Sequence, residues 1–243
     1  MNIFRNRIYK NYNKARVSSL APDSIKGLEP RAPYLNRIIN RHFPNDKNAS
    51  ILDLGCGYGA VLFFAHEAGY TNIRGVDGST EQVEAARILG IEGVQEGDLI
   101  QTLASLSDSS QGCIITFDVI EHFSREELIP LVDEVNRVLK PYGRWIIHTP
   151  NGESPFSGRM RYGDLTHELA FTRTSIAQLL LSSGFREVQS FEDEPIPHGV
   201  KSAGRWLLWK MIRGNLRLYL AAETGDSGKD AIFSQNFLTV AEK

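Results

Sequence analysis

Carboxyl groups and a glycine-rich turn sit close together near residue 55 of this 243-residue chain. In ILDLGCGYGA (51–60), three glycines alternate directly after a short apolar run that carries Asp53. A turn of this kind between a strand and a helix lets a ligand approach the backbone closely. Gly55 and Gly57 also begin a dinucleotide-binding pattern, and Asp77 lies 22 residues beyond Gly55, near the spacing expected for an acid that binds ribose hydroxyls.

Further acids distinguish between the ligand classes that such a turn could hold. Asp98 in EGDL and Asp118 in FDVIEHF each follow a further predicted strand, the third and the fourth. Four carboxylates at the ends of strands repel a pyrophosphate, whereas they favour a ligand with a sulfonium, an ammonium and ribose hydroxyls. The sequence therefore favours a cationic nucleoside over a dinucleotide.

ILDLGCGYGAVL, GVDGS, EGDL and FDVIEHF, in this order and spacing, resemble the class I S-adenosylmethionine-dependent methyltransferases over about residues 49–191. The resemblance implies S-adenosylmethionine as cofactor. It places the first acid and the glycine loop at the methionyl end, the second acid at the ribose and the third at the adenine. The cofactor-binding residues implied are Asp53, Gly55, Cys56, Gly57, Gly59, Asp77, Gly78, Asp98, Leu99 and Asp118.

Each acid also has a purely structural interpretation. Asp53 could bind backbone amides of the loop, Asp77 could be a turn residue, and Asp98 could cap the segment that follows it. Three separate structural roles explain the positions of these acids less simply than one shared ligand does.

Imidazole and carboxyl groups near the ends of the fourth and fifth strands are candidates for acting on the methyl acceptor. Methyl transfer from sulfur depends on orientation, and a base helps only when the acceptor starts protonated. We expect His122 or His167 to be this base, with Glu121 beside them. A position against the cofactor is an equal alternative for His122, and a core role is favoured for His148.

Residues 149–185 resemble methyltransferases encoded among bacterial surface-polysaccharide genes, which implies a sugar hydroxyl as acceptor. The residues implied to contact the substrate are Arg159, Arg161, Tyr162, Asp164 and Glu168. The arginines could equally be solvated loop charges. Asp164, His167 and Glu168 could instead bind a divalent metal, but this loop offers no further ligands, and we predict no metal site.

Short apolar runs alternate with helical periodicity from residue 50 onward, which predicts an α/β domain with a doubly wound, Rossmann-like sheet. The resemblance implies seven strands, mostly parallel, with the last one antiparallel beside the fifth. Strands are predicted at 50–54, 72–76, 93–96, 112–117, 144–148, 185–191 and 236–241, and helices at 58–68, 79–89, 124–139 and 173–183. Pro130 is expected to kink or delay the third helix.

Two segments lie outside this regular pattern. Residues 1–48 form a basic cap predicted to be partly helical, and the methyltransferase domain, 49–243, carries an insertion at about 194–235. The net charge of −2 argues against general nucleic-acid binding, although bases gather in 1–43 and 201–220. The insertion is interpreted as a lid on the core by default, or as a dimer contact, or as a helix resting on an anionic membrane.

The remaining features exclude several classes. The absence of a long apolar window or a signal-type start predicts a cytoplasmic protein, at most peripheral to the inner membrane face. Cys56 and Cys113 form no C-x-x-C pair.

We predict a single-domain methyltransferase that modifies a hydroxyl of a small or glycan-like acceptor. An NAD-dependent oxidoreductase and a catalytically inactive cofactor-binding module remain alternatives, and the oligomeric state stays open.

Overall fold

The computed structural model describes residues 21–243, which form one seven-stranded sheet in the order β3-β2-β1-β4-β5-β7-β6. Strands β1 to β5 are parallel, and β7 pairs antiparallel with both β5 and β6. The predicted fold class is confirmed. The strands are β1 Ile51–Leu54, β2 Ile73–Asp77, β3 Val94–Glu96, β4 Gln111–Phe117, β5 Leu139–Pro150, β6 Glu187–Glu192 and β7 Asn236–Glu242.

Helices cover both faces of this sheet. They are α1 Ala32–His42, α2 Ala60–Glu67, α3 Thr80–Leu89, α4 Leu99–Ala104, α5 Arg125–Val138, α6 Ser157–Gly163, α7 Arg173–Ser182 and α8 Val200–Thr224, with short 3-10 helices at Ile25–Arg31 and Ile120–His122. Helices α4 and α6 were not predicted, because six or seven residues are too few to show a helical period.

Contrary to the expectation from the sequence, Pro130 does not delay the start of helix α5. The helix begins at Arg125, before the proline, and continues to Val138. The side chains and backbones of Ser124 and Glu127 form a reciprocal capping box that fixes the start. A proline inside a helix costs about 3 kcal/mol. Burial of one large apolar side chain contributes roughly 1.5–3 kcal/mol. Five buried residues on α5 outweigh the proline: Leu128, Leu131, Val132, Val135 and Val138.

The core consists of two hydrophobic clusters on opposite faces of the sheet. Neighbouring residues of β5 show the division, since Trp145 belongs to one cluster and Ile146 to the other. Helix α1 contributes Leu35, Ile38 and Ile39 to the second cluster. The later part of the predicted N-terminal cap is therefore packed into the domain core, while its residues 1–20 lie outside the described range.

Helix α8 occupies the predicted insertion between β6 and β7. Lys210 pairs with Glu194, and Nε of Arg213 lies 2.5 Å from Oε2 of Glu192, so this basic side faces the body of the domain. The outer side exposes Leu207, Leu208, Met211, Ile212, Leu218 and Tyr219. Within residues 21–243, no helix is both long enough and apolar enough to span a bilayer.

Candidate functional site

The glycine loop leaves β1 at the carboxyl edge of the sheet, and two of its glycines are required by geometry. Gly55 has φ +75°, and a Cβ there would lie 2.4 Å from Cγ2 of Val119. Gly59 has φ +82° and caps α2, and its Cβ would lie 2.7 Å from Val94. A larger residue would be strained at both positions. The contact with Val119 also places the segment after β4 directly against this loop.

Asp77, the last residue of β2, connects to the loop through its backbone. Oδ2 of Asp77 accepts a hydrogen bond from the Gly57 amide at 2.7 Å, and Oδ1 accepts one from the Ser79 amide at 2.8 Å. Burial raises the pKa of Asp77, and the two amides oppose that effect. Gly78 follows on the exposed side of the turn. The acid thus lies beside the loop, as a residue that binds ribose hydroxyls would.

Asp53 is a buried acid that lacks a protein partner. The residue is 1% exposed, and neither carboxylate oxygen has a hydrogen-bond partner among residues 21–243. Burial, and then the nearby charge of Asp77, raise its pKa to about 8. The prediction that Asp53 could bind backbone amides of the loop is not met. An unpartnered buried carboxylate is costly, and a bound cation would offset that cost.

Asp98 is the N-cap of α4, and its Oδ1 accepts hydrogen bonds from the amides of Ile100 and Gln101, both at 3.0 Å. Both bonds use one carboxylate oxygen, so capping does not exclude a second role for this residue. Leu99, the first residue of α4, packs partly buried against the core. The thiol of Cys56 donates to the Gly57 carbonyl at 3.6 Å, and burial raises the pKa of that thiol.

An ion network centred on the buried imidazole of His148 lies at the ends of β4 and β5. Nδ1 of His148 is 2.8 Å from Oδ1 of Asp118, and Nε2 is 3.4 Å from Oδ2 of Asp193. Burial alone would lower the pKa of His148, but these two carboxylates outweigh it and raise the pKa to about 10. Desolvation likewise opposes ionisation of Asp118, yet the charge of His148 keeps its pKa below the usual range. The predicted core role of His148 is therefore that of an ion-paired imidazolium.

Glu121 is fully buried in the 3-10 helix that follows β4. Its Oε2 accepts a hydrogen bond from Oγ1 of Thr149 at 3.1 Å, while Oε1 has no hydrogen-bond partner within the described part of the chain. Burial, and then the charge of Asp118, raise the pKa of Glu121 to about 8. Like Asp53, it is a carboxylate that the fold buries without full hydrogen bonding.

The two predicted base candidates face each other. The ring centroids of His122 and His167 lie 4.8 Å apart in an edge-to-face arrangement. Nδ1 of His167 lies 2.8 Å from the Met160 carbonyl oxygen, and Nδ1 of His122 lies 2.9 Å from Oγ1 of Thr166. Burial and then the neighbouring His167 lower the pKa of His122 to about 4. His122 is therefore neutral at pH 7.

The loop around α6 holds the residues predicted to contact the substrate. Arg161 donates from Nη1 to the His167 carbonyl and from Nη2 to the Glu168 carbonyl, the latter at 2.7 Å. Oδ1 of Asp164 accepts from the Thr166 hydroxyl at 2.6 Å. These two residues fix the loop that carries His167. The other three predicted contacts, Arg159, Tyr162 and Glu168, have exposed side chains.

Three residues near the site were not singled out from the sequence. Asp193 follows β6, whose carboxyl end lies at the same edge as those of β4 and β5, so an acid directly after this strand was a usable signal. Thr166, which is 2% exposed, and Tyr34, whose ring lies 6.0 Å from that of His148, carried no such signal. Tyr34 comes from α1, and only the tertiary fold brings it here.

Comparison with known families identifies the class of protein. A family model described as a methyltransferase domain matches residues 28–190, which is more than half of the chain. The chain therefore belongs to this methyltransferase family. Comparison with curated proteins gives no match.

Solved structures share the fold at low identity. A SAM-dependent methyltransferase from Archaeoglobus fulgidus is 21% identical with a TM-score of 0.68, and the match covers 98% of this chain and 99% of that one. A possible histamine N-methyltransferase from Thermotoga maritima is 14% identical with a TM-score of 0.59, over 98% and 97% of the two chains. Phosphoethanolamine N-methyltransferase 2 from Haemonchus contortus, in complex with S-adenosyl-L-methionine, is 17% identical with a TM-score of 0.61, over 100% and 60%.

The residues at the sheet edge fit S-adenosylmethionine, the cofactor of this fold and family. The unpartnered carboxylate of Asp53 suits a positively charged ligand, and Asp77 lies beside the loop at the end of the next strand. When bound, the cofactor supplies an electrophilic methyl group on a sulfonium. The fold, the family and these buried acids together favour a methyltransferase over a dinucleotide-dependent oxidoreductase.

Proposed function

We propose that this protein transfers the methyl group of S-adenosylmethionine to a hydroxyl oxygen of a small or glycan-like acceptor. The observation that carries this proposal is the position of Glu121, His122 and His167, whose potential ligand or base atoms all lie within 4.8 Å of one another. Val119, two residues before Glu121, packs against Gly55, so the cluster adjoins the cofactor loop. A neutral alcohol keeps its proton at pH 7 and needs such groups to become a nucleophile.

The chain's own residues support this chemistry. The carbonyl of Met160 can only accept, so Nδ1 of His167 donates in this bond, and Nε2 is the atom left to face an acceptor. The neutral state of His122 at pH 7 avoids repulsion between an imidazolium and a cationic cofactor. As the new C–O bond forms, the C–S bond would break with its electrons remaining on sulfur, and the hydroxyl proton would pass from the acceptor oxygen to Nε2 of His167 or His122.

A role in surface-polysaccharide biosynthesis is part of the same proposal. The exposed side chains of Arg159 and Tyr162 near His167 suit a sugar ring or a phosphate-bearing donor. The polysaccharide setting itself rests on the resemblance of residues 149–185.

The test is methyl transfer to defined acceptors by the full-length chain. Sugars, phenols and amines are incubated with S-adenosylmethionine carrying a labelled methyl group, and the products are analysed by mass spectrometry. We expect label on alcohol acceptors, and we expect His122→Ala and His167→Ala each to lower kcat by about 10²- to 10⁴-fold with cofactor affinity nearly unchanged. His198→Ala, at an exposed histidine elsewhere, is the matched control. Label confined to amines, or full activity in both variants, would overturn the proposal.

A further inference from the structure

The cluster of Glu121, His122 and His167 has a composition that suits a metal ion. Each residue contributes one potential ligand atom, and the three atoms lie within 4.8 Å of one another. Two imidazoles and one carboxylate are the protein ligands of several catalytic zinc sites and of non-haem iron sites. We propose that these three side chains bind one divalent transition-metal ion, which holds the acceptor hydroxyl beside the cofactor.

The hydrogen bonds around the imidazoles prepare them as ligands. The Thr166 hydroxyl donates to Asp164 at 2.6 Å, so it accepts from Nδ1 of His122. Nδ1 of His167 donates to the carbonyl of Met160. In both rings Nδ1 is therefore engaged with an oxygen, and Nε2 is the nitrogen left to bind an ion. Metal-binding histidines almost always donate their other ring N–H to an oxygen in this way, and the bond fixes the orientation of the ring.

Glu121 gives the second, independent indication of a ligand. The side chain is fully buried, its Oε2 is held by Thr149, and its Oε1 has no hydrogen-bond partner among residues 21–243. A buried carboxylate oxygen without a partner is costly, and coordination to a cation would offset that cost. The bond to Thr149 leaves Oε1 as the oxygen available for coordination.

The dimensions require only small side-chain movements. Zinc–nitrogen and zinc–oxygen bonds are about 2.0–2.2 Å long, so two ligands of one ion lie roughly 3–3.5 Å apart in tetrahedral geometry. The three atoms must therefore approach one another by at most about 1–2 Å. Three protein ligands leave a coordination position open for a hydroxyl oxygen, as in catalytic zinc sites.

The choice of ion follows from the ligands. Imidazole suits Zn²⁺, Fe²⁺ and Co²⁺, whereas Mg²⁺ prefers carboxylates, carbonyls and water. The site differs from the loop set weighed from the sequence: it keeps His167, but Glu121 and His122 take the place of Asp164, which binds Thr166, and of Glu168, whose side chain is exposed. The sequence prediction of no metal would then be wrong for a physical reason: Glu121 and His167 are 46 residues apart and meet only in the fold.

This role rests on the proposed function, and it replaces a histidine base. With both Nε2 atoms bound to the ion, neither imidazole accepts a proton. The ion acts as a Lewis acid that lowers the pKa of the bound hydroxyl, and the proton passes to water. The oxygen then attacks the methyl carbon, and the C–S bond breaks with its electrons on sulfur.

The test is calorimetric titration of the full-length, chelator-treated protein with ZnCl₂, with CoCl₂ as a spectroscopic probe. We expect one Zn²⁺ per chain and a visible Co²⁺ absorption band that Zn²⁺ abolishes and excess Mg²⁺ does not. Glu121→Gln and His167→Ala should each weaken Zn²⁺ binding at least about 100-fold, beyond the loss typical of outer-shell partners. His198→Ala should bind as the wild type does.

Two further measurements separate the possible failures. Unchanged S-adenosylmethionine affinity in Glu121→Gln and His167→Ala would show that the variants are folded. Weak Zn²⁺ binding to the wild type, or equal binding to His167→Ala and His198→Ala, would overturn the metal site. Methyl transfer to alcohols that survives chelation would also overturn it and leave the proposed function intact. Tight Zn²⁺ binding without methylation of any alcohol would retain the site and remove the hydroxyl acceptor.

Discussion

The imidazole of His148 donates from Nδ1 to Oδ1 of Asp118 across 2.8 Å, and this bond joins β5 to the residue that follows β4. His148 is 6% exposed, whereas the side chain of Asp118 is 58% exposed. Asp118 also has φ +55°, an uncommon value for a residue other than glycine. The ion pair thus holds a residue in the left-handed conformation directly after β4, three residues before Glu121.

The first prediction concerns the pH dependence of this pair. The pKa of His148 is raised to about 10, so its stabilising contribution is fully present below about pH 6.5 and is lost as the pH rises through 10. Asp118→Asn should lower the free energy of unfolding at pH 7 by about 1–2 kcal/mol, a value reduced by solvent screening of the exposed carboxylate. Urea denaturation should show this difference shrinking above pH 10. A difference that stays constant from pH 7 to 11 would rule out the imidazolium.

Asp53 should oppose stability and support cofactor binding. Its pKa is raised to about 8 in the folded state, so the folded chain holds the proton of Asp53 more tightly than the unfolded chain does. This contribution to stability is fully present below about pH 4 and is lost as the pH rises through 8. Asp53→Asn should therefore stabilise the cofactor-free protein at pH 8.5 by about 1–3 kcal/mol and weaken S-adenosylmethionine binding at least about tenfold. Thermal denaturation and calorimetry measure the two effects, with Glu92→Gln as an exposed control. Loss of stability with unchanged affinity would contradict the assigned role.

The fold followed from the sequence where the periodicity was long and the turn chemistry was specific. The alternation of short strand-like runs with helical periodicity located α3, α5 and every strand. The glycine loop was equally readable, since Gly55 and Gly59 occupy positions that other residues cannot adopt. Short helices such as α4 were missed because six or seven residues are too few to show a helical period, although Asp98 was recognised as a possible cap.

The sequence identified most residues of the candidate site, but it did not show which of them lie together. His122 and His167 were both identified, yet their contact with Glu121 depends on the loop after β5 folding back over the end of β4. The backbone carbonyl of Glu121 accepts from the amides of Glu168 and Leu169, which fixes that loop. Such backbone bonds leave no trace in side-chain identity. The orientation of the basic residues on α8 was hidden for a similar reason, because their acidic partners lie in another element.

Asp98 allows its two roles to be separated by choice of substitution. Asp98→Ala removes the cap of α4 and should lower the free energy of unfolding by about 1 kcal/mol, whereas Asp98→Ser retains a capping hydroxyl and should change it little. If Asp98 also contacts the adenine, both variants should weaken S-adenosylmethionine binding to a similar degree. Weaker binding in the alanine variant alone would reduce Asp98 to a helix cap.

The basic side of α8 is predicted to stabilise the domain instead of binding lipid. Arg213 pairs with Glu192, whose side chain is only 12% exposed, so Arg213→Met leaves a mostly buried carboxylate without its cation. This substitution should lower the free energy of unfolding by about 2 kcal/mol, whereas Lys201→Met, at an exposed position, should have little effect. Flotation with anionic vesicles checks the alternative. Wild-type stability of Arg213→Met together with reduced, salt-sensitive flotation would favour the membrane-bound helix.

Comparing the binding of S-adenosylmethionine and NAD tests whether the carboxylates at the strand ends select a cationic ligand. Calorimetry of the full-length protein should show one S-adenosylmethionine bound per chain, binding weakened at least about tenfold by Asp77→Asn, and no heat from NAD at the same concentration. Tight NAD binding without any S-adenosylmethionine binding would contradict the assignment of these acids to a cationic methyl donor.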